Sequence, residues 1–501
     1  MTWRLREHPE TRRRVLTALA ATAACSLAAH GFLFSNEFFS HDSVSYFTYG
    51  TGTPAFYTSV GRFLIPVYER MKGDVAAPWL IGMLFTLWLA GTALVTARLL
   101  DIRSGGGLVL TCGLLCTNTA LTLTGATYVY CMDEYGFALL CAALAAWLLG
   151  RRGWRARLGG AALLIASLAV YQAYFTVAAA LCFLAILRRT AAGESLAELI
   201  REGLTELGLL AGSFLVYYGL WQGLCGALGV SPRRMEESLL GGGGVLELVG
   251  EANVRYVTGL FDRSGVLGSL LAAVHVLLVC ELFFCLVSLL RRRELPGGNK
   301  VLLAVLVCLI PTAFHSVWVL MSGKATGLMT FAGELLYLLA AACREPDRGR
   351  SAPERTGLAL LLCLVVWQHI VFANQVYMKK ELEKNTTLVL AGQVIGRIEA
   401  TEGYVPGETP VAFAGRLDQN EAWIRGREGF RELDGLTGLW SDTSATYNLG
   451  RYLTDYLYYP LVWDETVEAE ALPGVDAMPV FPARGSTALV EGTVVVKLSE
   501  S

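Results

Sequence analysis

The chain has 501 residues, of which 54% are hydrophobic and only 17% charged. Soluble globular chains carry nearer a quarter charged residues, so this composition speaks against a soluble domain and for a membrane protein. A formal net charge of −2 provides no basic surface for a polyanion and argues against a nucleic-acid partner.

Apolar blocks centre near Ala23, Leu87, Leu114, Ala142, Ile165, Ala180, Leu215, Leu277, Leu306, Leu336 and Leu362. Since about 20 apolar residues of helix cross a bilayer core, these predict about eleven membrane helices. The expected fold is mainly α: a polytopic helical membrane domain over residues 1–375, then a small C-terminal α/β domain over residues 376–501. The first block, from about Val15 to Phe34, follows Arg12–Arg14 but exceeds the apolar core of a signal peptide. No small-residue cleavage site follows it, so it reads as a retained helix.

Positive charge orients the bundle. Basic clusters occur at Arg12–Arg14, Arg98 and Arg103, Arg151–Arg157, Arg188 and Arg189, Arg291–Arg293, and Arg344–Arg355. All fall on the cytoplasmic side if the N-terminus is inside and the run Leu158–Leu187 is two short helices meeting at "YQAY", Tyr171–Tyr174. The outer parts are then Ser35–Pro78, "GATYVYCMDEYG", the "YQAY" turn, Gly229–Ser264, "HSVWVLMSGKATG" and everything after about Gln375. That tail is cysteine-free and acidic, with 11 Lys and Arg against 19 Asp and Glu from residue 376 onward. Within it "KKELEKNTTLVLAGQVIGRIEA" has helical spacing, while "PVAFAG" and "TALVEGTVVVKL" alternate as strands do. The 12 cysteines sit mostly in apolar blocks without metal spacing; they read as small hydrophobes, and neither a disulfide nor a zinc site is expected.

Residues with chemical potential collect in the outer parts. Asp42, in "FFSHDSVSY" with His41 beside it, is an acid among aromatics at a membrane boundary, costly there unless used. Apolar surroundings could raise its pKa toward that of a base, though Ser40 or Asp42 also fits a helix cap. Asp133 and Glu134 begin another helix, where the helix dipole alone would favour them. Arg62 in "GRFL", and His315 and Lys324 in "HSVWVLMSGKATG", are outer groups suited to an anionic headgroup or to interfacial snorkelling. Tyr171 and Gln172 suit either a sugar site or an aromatic belt. Two or three carboxylates without a histidine cluster are a weak metal signal: no metal site is expected, although a divalent cation is compatible with them.

The order of these motifs resembles the Gtr-type glucosyltransferases, bacterial polytopic membrane enzymes of the GT-C class. A short N-terminal helix, an outer loop with an early Asp, "GRFL", "YQAY" between short helices and a strand-ended outer tail cover essentially the whole chain. The resemblance implies transfer of a sugar, glucose on the family's pattern, from a polyprenyl-phosphate carrier to a surface glycan or glycolipid outside the bacterial cell membrane. It makes Asp42 the candidate base, Asp133 and Glu134 the second acidic motif, Arg62 the "GRFL" cation, and Tyr171 and Gln172 the hairpin signature. The family's first acidic motif is often a doubled acid; here His41 takes the neighbouring place. A transporter or flippase of a lipid-linked sugar shares the helix count, but no inverted repeat is evident. A non-catalytic scaffold with an external binding domain ranks last.

Overall fold

The computed structural model describes residues 9–40, 43–44, 53–73, 75–233, 244–262, 268–345, 350–420 and 445–500. Helix α1 (Pro9–Ser35) is followed by two short helices, α2 (Pro54–Ser59) and α3 (Ile65–Lys72). α4 (Pro78–Leu99) starts on a proline, whose missing N–H costs nothing in a first helical turn. α5 (Gly105–Cys116) and α6 (Thr119–Tyr128) form one interrupted rod, and α7 (Met132–Leu149) returns alongside α4. Then come α8 (Trp154–Leu168), α9 (Phe175–Ala191), α10 (Leu196–Leu228), α11 (Val245–Leu260) and α12 (Gly268–Arg291). α13 (Gly297–Phe314), α14 (Ser316–Leu320), α15 (Leu336–Cys343) and the 48-residue α16 (Ala352–Glu399) complete the bundle.

Among the described residues, eight segments are long and apolar enough to cross a membrane, fewer than the apolar blocks of the sequence. The difference has identifiable sources. Residues 105–149 count as one 45-residue segment, about 68 Å if straight against a hydrocarbon core of about 30 Å. The chain instead turns at Val129–Cys131. α8 has 15 residues and Phe331–Cys343 is also short, so neither has crossing length by itself. The expected break at "YQAY" is present: α8 ends at Leu168, and α9 starts after a 3-10 turn at Gln172–Tyr174.

The bundle has two polar ends. At one, Arg14 donates to the carbonyl of Ile102 (2.9 Å), and Glu345 accepts from the backbone N–H groups of Arg103 and Ser104 (both 2.9 Å). Arg157 pairs with Glu202 and Arg189 with Glu194 at the same end. Ser40, Lys72, Thr127 and Asp133 mark the other. Between them large apolar side chains point outward, such as Leu215 at 68% and Phe284 at 66% exposure. Outward apolar groups are stable where lipid is the solvent, and helices close their own backbone hydrogen bonds there.

The interruption between α5 and α6 is built from side chains. Asn118 accepts from the Ala120 N–H (2.9 Å) and donates to the Phe331 carbonyl (3.1 Å). Glu334 accepts from the Thr119 N–H (3.0 Å) and hydroxyl, lying 3.6 Å from His369. A carboxylate thus faces the first amides of α6, where the helix dipole favours it.

α16 would be about 72 Å long, more than twice what a hydrocarbon core needs, so about half of it projects. Its last turns bury Leu390, Ala391, Val394 and Ile398 at helical spacing against a four-stranded sheet. The sheet comprises β1 (Pro410–Ala414), β2 (Val462–Trp463), β3 (Thr487–Val490) and β4 (Thr493–Lys497) in the order β2-β1-β4-β3. β1 runs parallel to β2 and β4, and β3 antiparallel to β4. The β3–β4 turn places Glu491 and Gly492 at φ 48° and 83°, the left-handed geometry that a two-residue hairpin requires. Helix α17 (Ala445–Arg451) covers this core. Phe39 reaches into it, its ring 5.0 Å from both Tyr452 and Tyr456, and Lys380 donates to the Phe39 carbonyl (2.7 Å).

Candidate functional site

The turn before α3 aims Arg62. Gly61 has φ +78°, and a Cβ there would lie 2.4 Å from the Tyr217 hydroxyl and 2.7 Å from Gln172 Nε2. Three side chains staple this turn. Gln172 Nε2 donates to the Val60 carbonyl (2.8 Å), Tyr217 Oη to that of Gly61 (2.9 Å), and Trp221 Nε1 to that of Thr58 (2.7 Å). Gln172 is therefore a positioning residue for Arg62. Gly61→Ala should cost about 1–3 kcal/mol through the left-handed φ alone, and more through the clash. Thermal unfolding of the purified variant checks this.

Arg62 so held donates from Nη1 to the Tyr135 hydroxyl (3.1 Å) and lies 5.4 Å from the centre of the Tyr171 ring. Tyr135 and Tyr171 stack at 4.4 Å and 17°, an offset arrangement with a negative face for the cation. Burial works against the charge of Arg62, and the hydroxyls of Tyr135 and Tyr171 overcome it, leaving its pKa raised. Its Nε is buried without a hydrogen-bond partner among the described residues.

One helix further, α3 is a short amphipathic rod whose Tyr68, Glu69 and Lys72 share a face. Lys72 Nζ lies 3.2 Å from Asp133 Oδ1 and 3.6 Å from Glu134 Oε1, with 2% of its side chain exposed. Burial tends to lower its pKa, but the Asp133 and Glu134 carboxylates win and raise it, so Lys72 is a cation at neutral pH. Asp133 and Glu134 are themselves fully buried in the first turn of α7; the helix dipole favours their charge there, whereas burial opposes it. Asp133 Oδ2 and both Glu134 oxygens make no hydrogen bond among the described residues. Trp88 Nε1 donates to Tyr68 Oη (2.9 Å), a hydroxyl that interacts with the Asp133 carboxylate. The Cys131 thiol lies within electrostatic reach of Arg62, Glu69, Lys72 and Glu134, joining both halves into one cluster.

Of the residues singled out in the sequence, Arg62, Asp133, Glu134, Tyr171 and Gln172 thus meet at one end of the bundle. His41 and Asp42 lie outside the described residues. Their neighbours do not: the Ser40 hydroxyl donates to the Thr127 carbonyl (2.6 Å), and Ser43 Oγ accepts from the Ser40 N–H (2.8 Å). His315 follows the last residue of α13, and Lys324 lies further along the chain, after α14. The His315 ring stacks on Trp318 at 6.1 Å, and Arg255 lies 4.0 Å from the centre of a Trp318 ring. Burial lowers the His315 pKa and Arg255 lowers it further, so the imidazole is neutral at pH 7. Lys324 is exposed.

Sequence reasoning missed Lys72, Tyr68, Tyr135, Tyr217 and Trp221. The available signal was "YERMK", Tyr68–Lys72, whose i, i+1, i+4 spacing places an aromatic, an acid and a base on one helical face. Among the described residues no group of three His, Cys, Asp or Glu side chains could hold a metal. The acid pair faces an ammonium instead.

The family model for glucosyl transferase GtrII matches residues 31–338, more than half of the chain. That stretch contains the Arg62–Lys72–Asp133–Glu134 cluster as well as His315 and Lys324, and it ends before α16 and the sheet. No curated protein matches the chain. With the match running from the end of α1 to α15 and enclosing the buried charge cluster, the chain belongs to the glucosyl transferase GtrII family.

Proposed function

We propose that this protein is a GT-C-type glycosyltransferase moving glucose from a polyprenyl-phosphate carrier to a glycan or glycolipid on the outer face of a bacterial cell membrane. One observation carries the reading: a cation without a full set of partners, Arg62, and a buried acid–base triad, Lys72 with Asp133 and Glu134, share one end of an apolar bundle. The arginine-rich end is then cytoplasmic by the inside-positive rule, and the charge cluster is external. Residues 1–375 form the membrane domain, and 376–501 an external domain over the same end.

In the proposed reaction the acceptor hydroxyl oxygen attacks the anomeric carbon while the bond from that carbon to the phosphate oxygen breaks. The acceptor proton passes to Asp42, and the electron pair leaves with the polyprenyl phosphate. Charge growing on the phosphate is met by Arg62, whose Nε and fixed guanidinium stabilise it. Tyr171 offers an aromatic face beside Arg62, and His41 precedes the base in sequence. Asp133 and Glu134 fix Lys72 and are next in line as proton acceptors. His315, neutral, and Lys324 meet a more distant part of donor or acceptor. A lipid-soluble donor accounts for a transferase set in a membrane.

The anchoring of Ser40 at Thr127 supports Asp42 as the base, because it brings the flanking chain to the end of α6, the helix that precedes the one carrying Asp133. Asp42→Asn should lower transfer of labelled glucose from polyprenyl-phosphate-glucose about 10²–10⁴-fold, the usual worth of a general base. Unchanged transfer would move the role to Asp133 or Glu134. A second reading, a transporter or flippase of the lipid-linked sugar, draws on the Glu334–His369 contact inside the bundle, since buried ionisable groups often mark a pathway. The family places it second.

A further inference from the structure

Far from the charge cluster, at the arginine-rich end, a cavity of about 420 Å³ opens between α9, α12 and α15, bordered by Arg350 ahead of α16. Two cysteines line it from different helices. Cys285 lies near the end of α12, and Cys343 is the last residue of α15. Both are thiols and both are partly exposed, so the cavity gives small molecules access to them. Their sulfurs are 3.6 Å apart, in contact across 58 residues of chain. A disulfide holds its sulfurs at about 2 Å, so an approach of about 1.5 Å, within reach of small side-chain rotations, would join them.

The surroundings favour Cys285 as the sulfur that reacts first. Arg350 hydrogen-bonds to it while also pairing with Glu281 (2.8 Å), and Arg292 lies within electrostatic reach. The thiolate is the form of cysteine that attacks an oxidant, and a neighbouring guanidinium is a usual support for it. Cys112 and Cys116 are placed otherwise: both are buried, and they donate to the carbonyls of Ala18 (3.8 Å) and Thr22 (3.7 Å).

We infer that Cys285 and Cys343 form a site of oxidative modification, closed to a disulfide by a hydroperoxide. The Cys285 thiolate attacks one peroxide oxygen, and the O–O bond breaks. The sulfur is oxidised to a sulfenic acid, while the other peroxide oxygen leaves reduced, as hydroxide or alkoxide. The Cys343 sulfur then attacks the sulfenic sulfur. The S–S bond forms, the S–O bond breaks, and the Cys343 proton leaves with the hydroxyl as water. A dithiol reductant reverses the change by exchange. The bond ties α12 to α15 beside the entry to α16. On the orientation proposed above this end faces the cytoplasm, where disulfides are transient, so the link answers to oxidant rather than persisting. The chemistry itself is independent of the sugar-transfer reading.

The test exposes the full-length protein in detergent to hydrogen peroxide, alkylates the remaining thiols and maps the peptides by mass spectrometry. Wild type should yield a linked Cys285–Cys343 peptide, two hydrogens lighter than its parts, that dithiothreitol separates. Cys343→Ser removes the resolving thiol, so dimedone should label Cys285 as a trapped sulfenic acid. In Cys285→Ser, dimedone labelling of Cys343 should be several-fold weaker. The wild-type link decides the matter if either variant fails to fold. Oxidised wild type in which both cysteines are still alkylated, or in which Cys285 is carried to sulfinic acid without a link, would overturn the site. Stronger dimedone labelling of Cys343 than of Cys285 would overturn the assigned order of attack.

Discussion

Replacing Lys72 by methionine is expected to destabilise the protein by about 3–5 kcal/mol, the usual cost of stranding buried charge by removing its partner. Methionine fills nearly the same volume, so the loss is electrostatic rather than a cavity. Asp133 and Glu134 are both fully buried, and Lys72 is the cation within 4 Å of each among the described residues. Because the folded-state pKa of Lys72 is raised, its contribution is complete at neutral pH, and it fades only as pH rises above about 10.5 toward the folded value. Adding Asp133→Asn and Glu134→Gln to the methionine variant should recover much of the loss, since the stranded charges go with their partner. Thermal unfolding in detergent of the single and triple variants measures both effects. A single variant as stable as wild type would mean that the three charges do not form a unit.

Arg62→Lys should lower kcat/KM about 10²–10³-fold, the range found when one fixed donor to a developing oxyanion is removed. The charge survives this change, but the guanidinium fork does not. Lysine cannot reach the Tyr135 hydroxyl, cover the Tyr171 ring and offer a further N–H to phosphate together. Tyr135→Phe keeps the fork and removes only its tether, so about a tenfold loss is expected, in line with one hydrogen bond to a charged group. Initial rates over a range of donor concentration separate the two: Arg62→Lys should act mainly on kcat, where leaving-group charge develops. Equal rates for Arg62→Lys and wild type would remove Arg62 from the reaction.

Much of the fold could be read from the chain because lipid and pleat impose simple periods. The apolar blocks became helices, "YQAY" became a break, and "PVAFAG" and "TALVEGTVVVKL" became β1 and the β3–β4 hairpin. The number of crossing helices was less legible, because block length does not say whether a chain turns inside a block, as it does at Val129–Cys131. The change of character near Gln375 suggested a boundary, yet α16 runs through it unbroken to Glu399. Polar residues after Tyr377 are good helix formers, and Lys380 with Glu383 adds an i, i+3 pair at 2.6 Å, so composition changed while the backbone did not.

The site was half legible for a related reason. Arg62, Asp133 and Glu134 stand out in the sequence because charge is rare beside membrane segments. Lys72 does not stand out in the sequence, since its partner Asp133 lies 61 residues away on another helix. Gln172 read as a hydrogen-bonding group for sugar, but its amide donates to Val60 and to Tyr217. Only the fold brings α10 behind the turn at Gly61 and reveals that role. Glu334 and His369 were passed over because each lies within an apolar run, and their contact depends on the broken rod of α5 and α6.

The central claim is that this end of the bundle transfers a sugar. Its most direct test is the full-length protein in liposomes with polyprenyl-phosphate carrying labelled glucose and a bacterial surface-glycan fraction as acceptor. The account predicts label covalently joined to the glycan by wild type, and little or none by Asp42→Asn or Arg62→Lys. Label that crosses the bilayer still attached to its lipid, with no glycosylated product, would contradict it and make the protein a carrier of lipid-linked sugar.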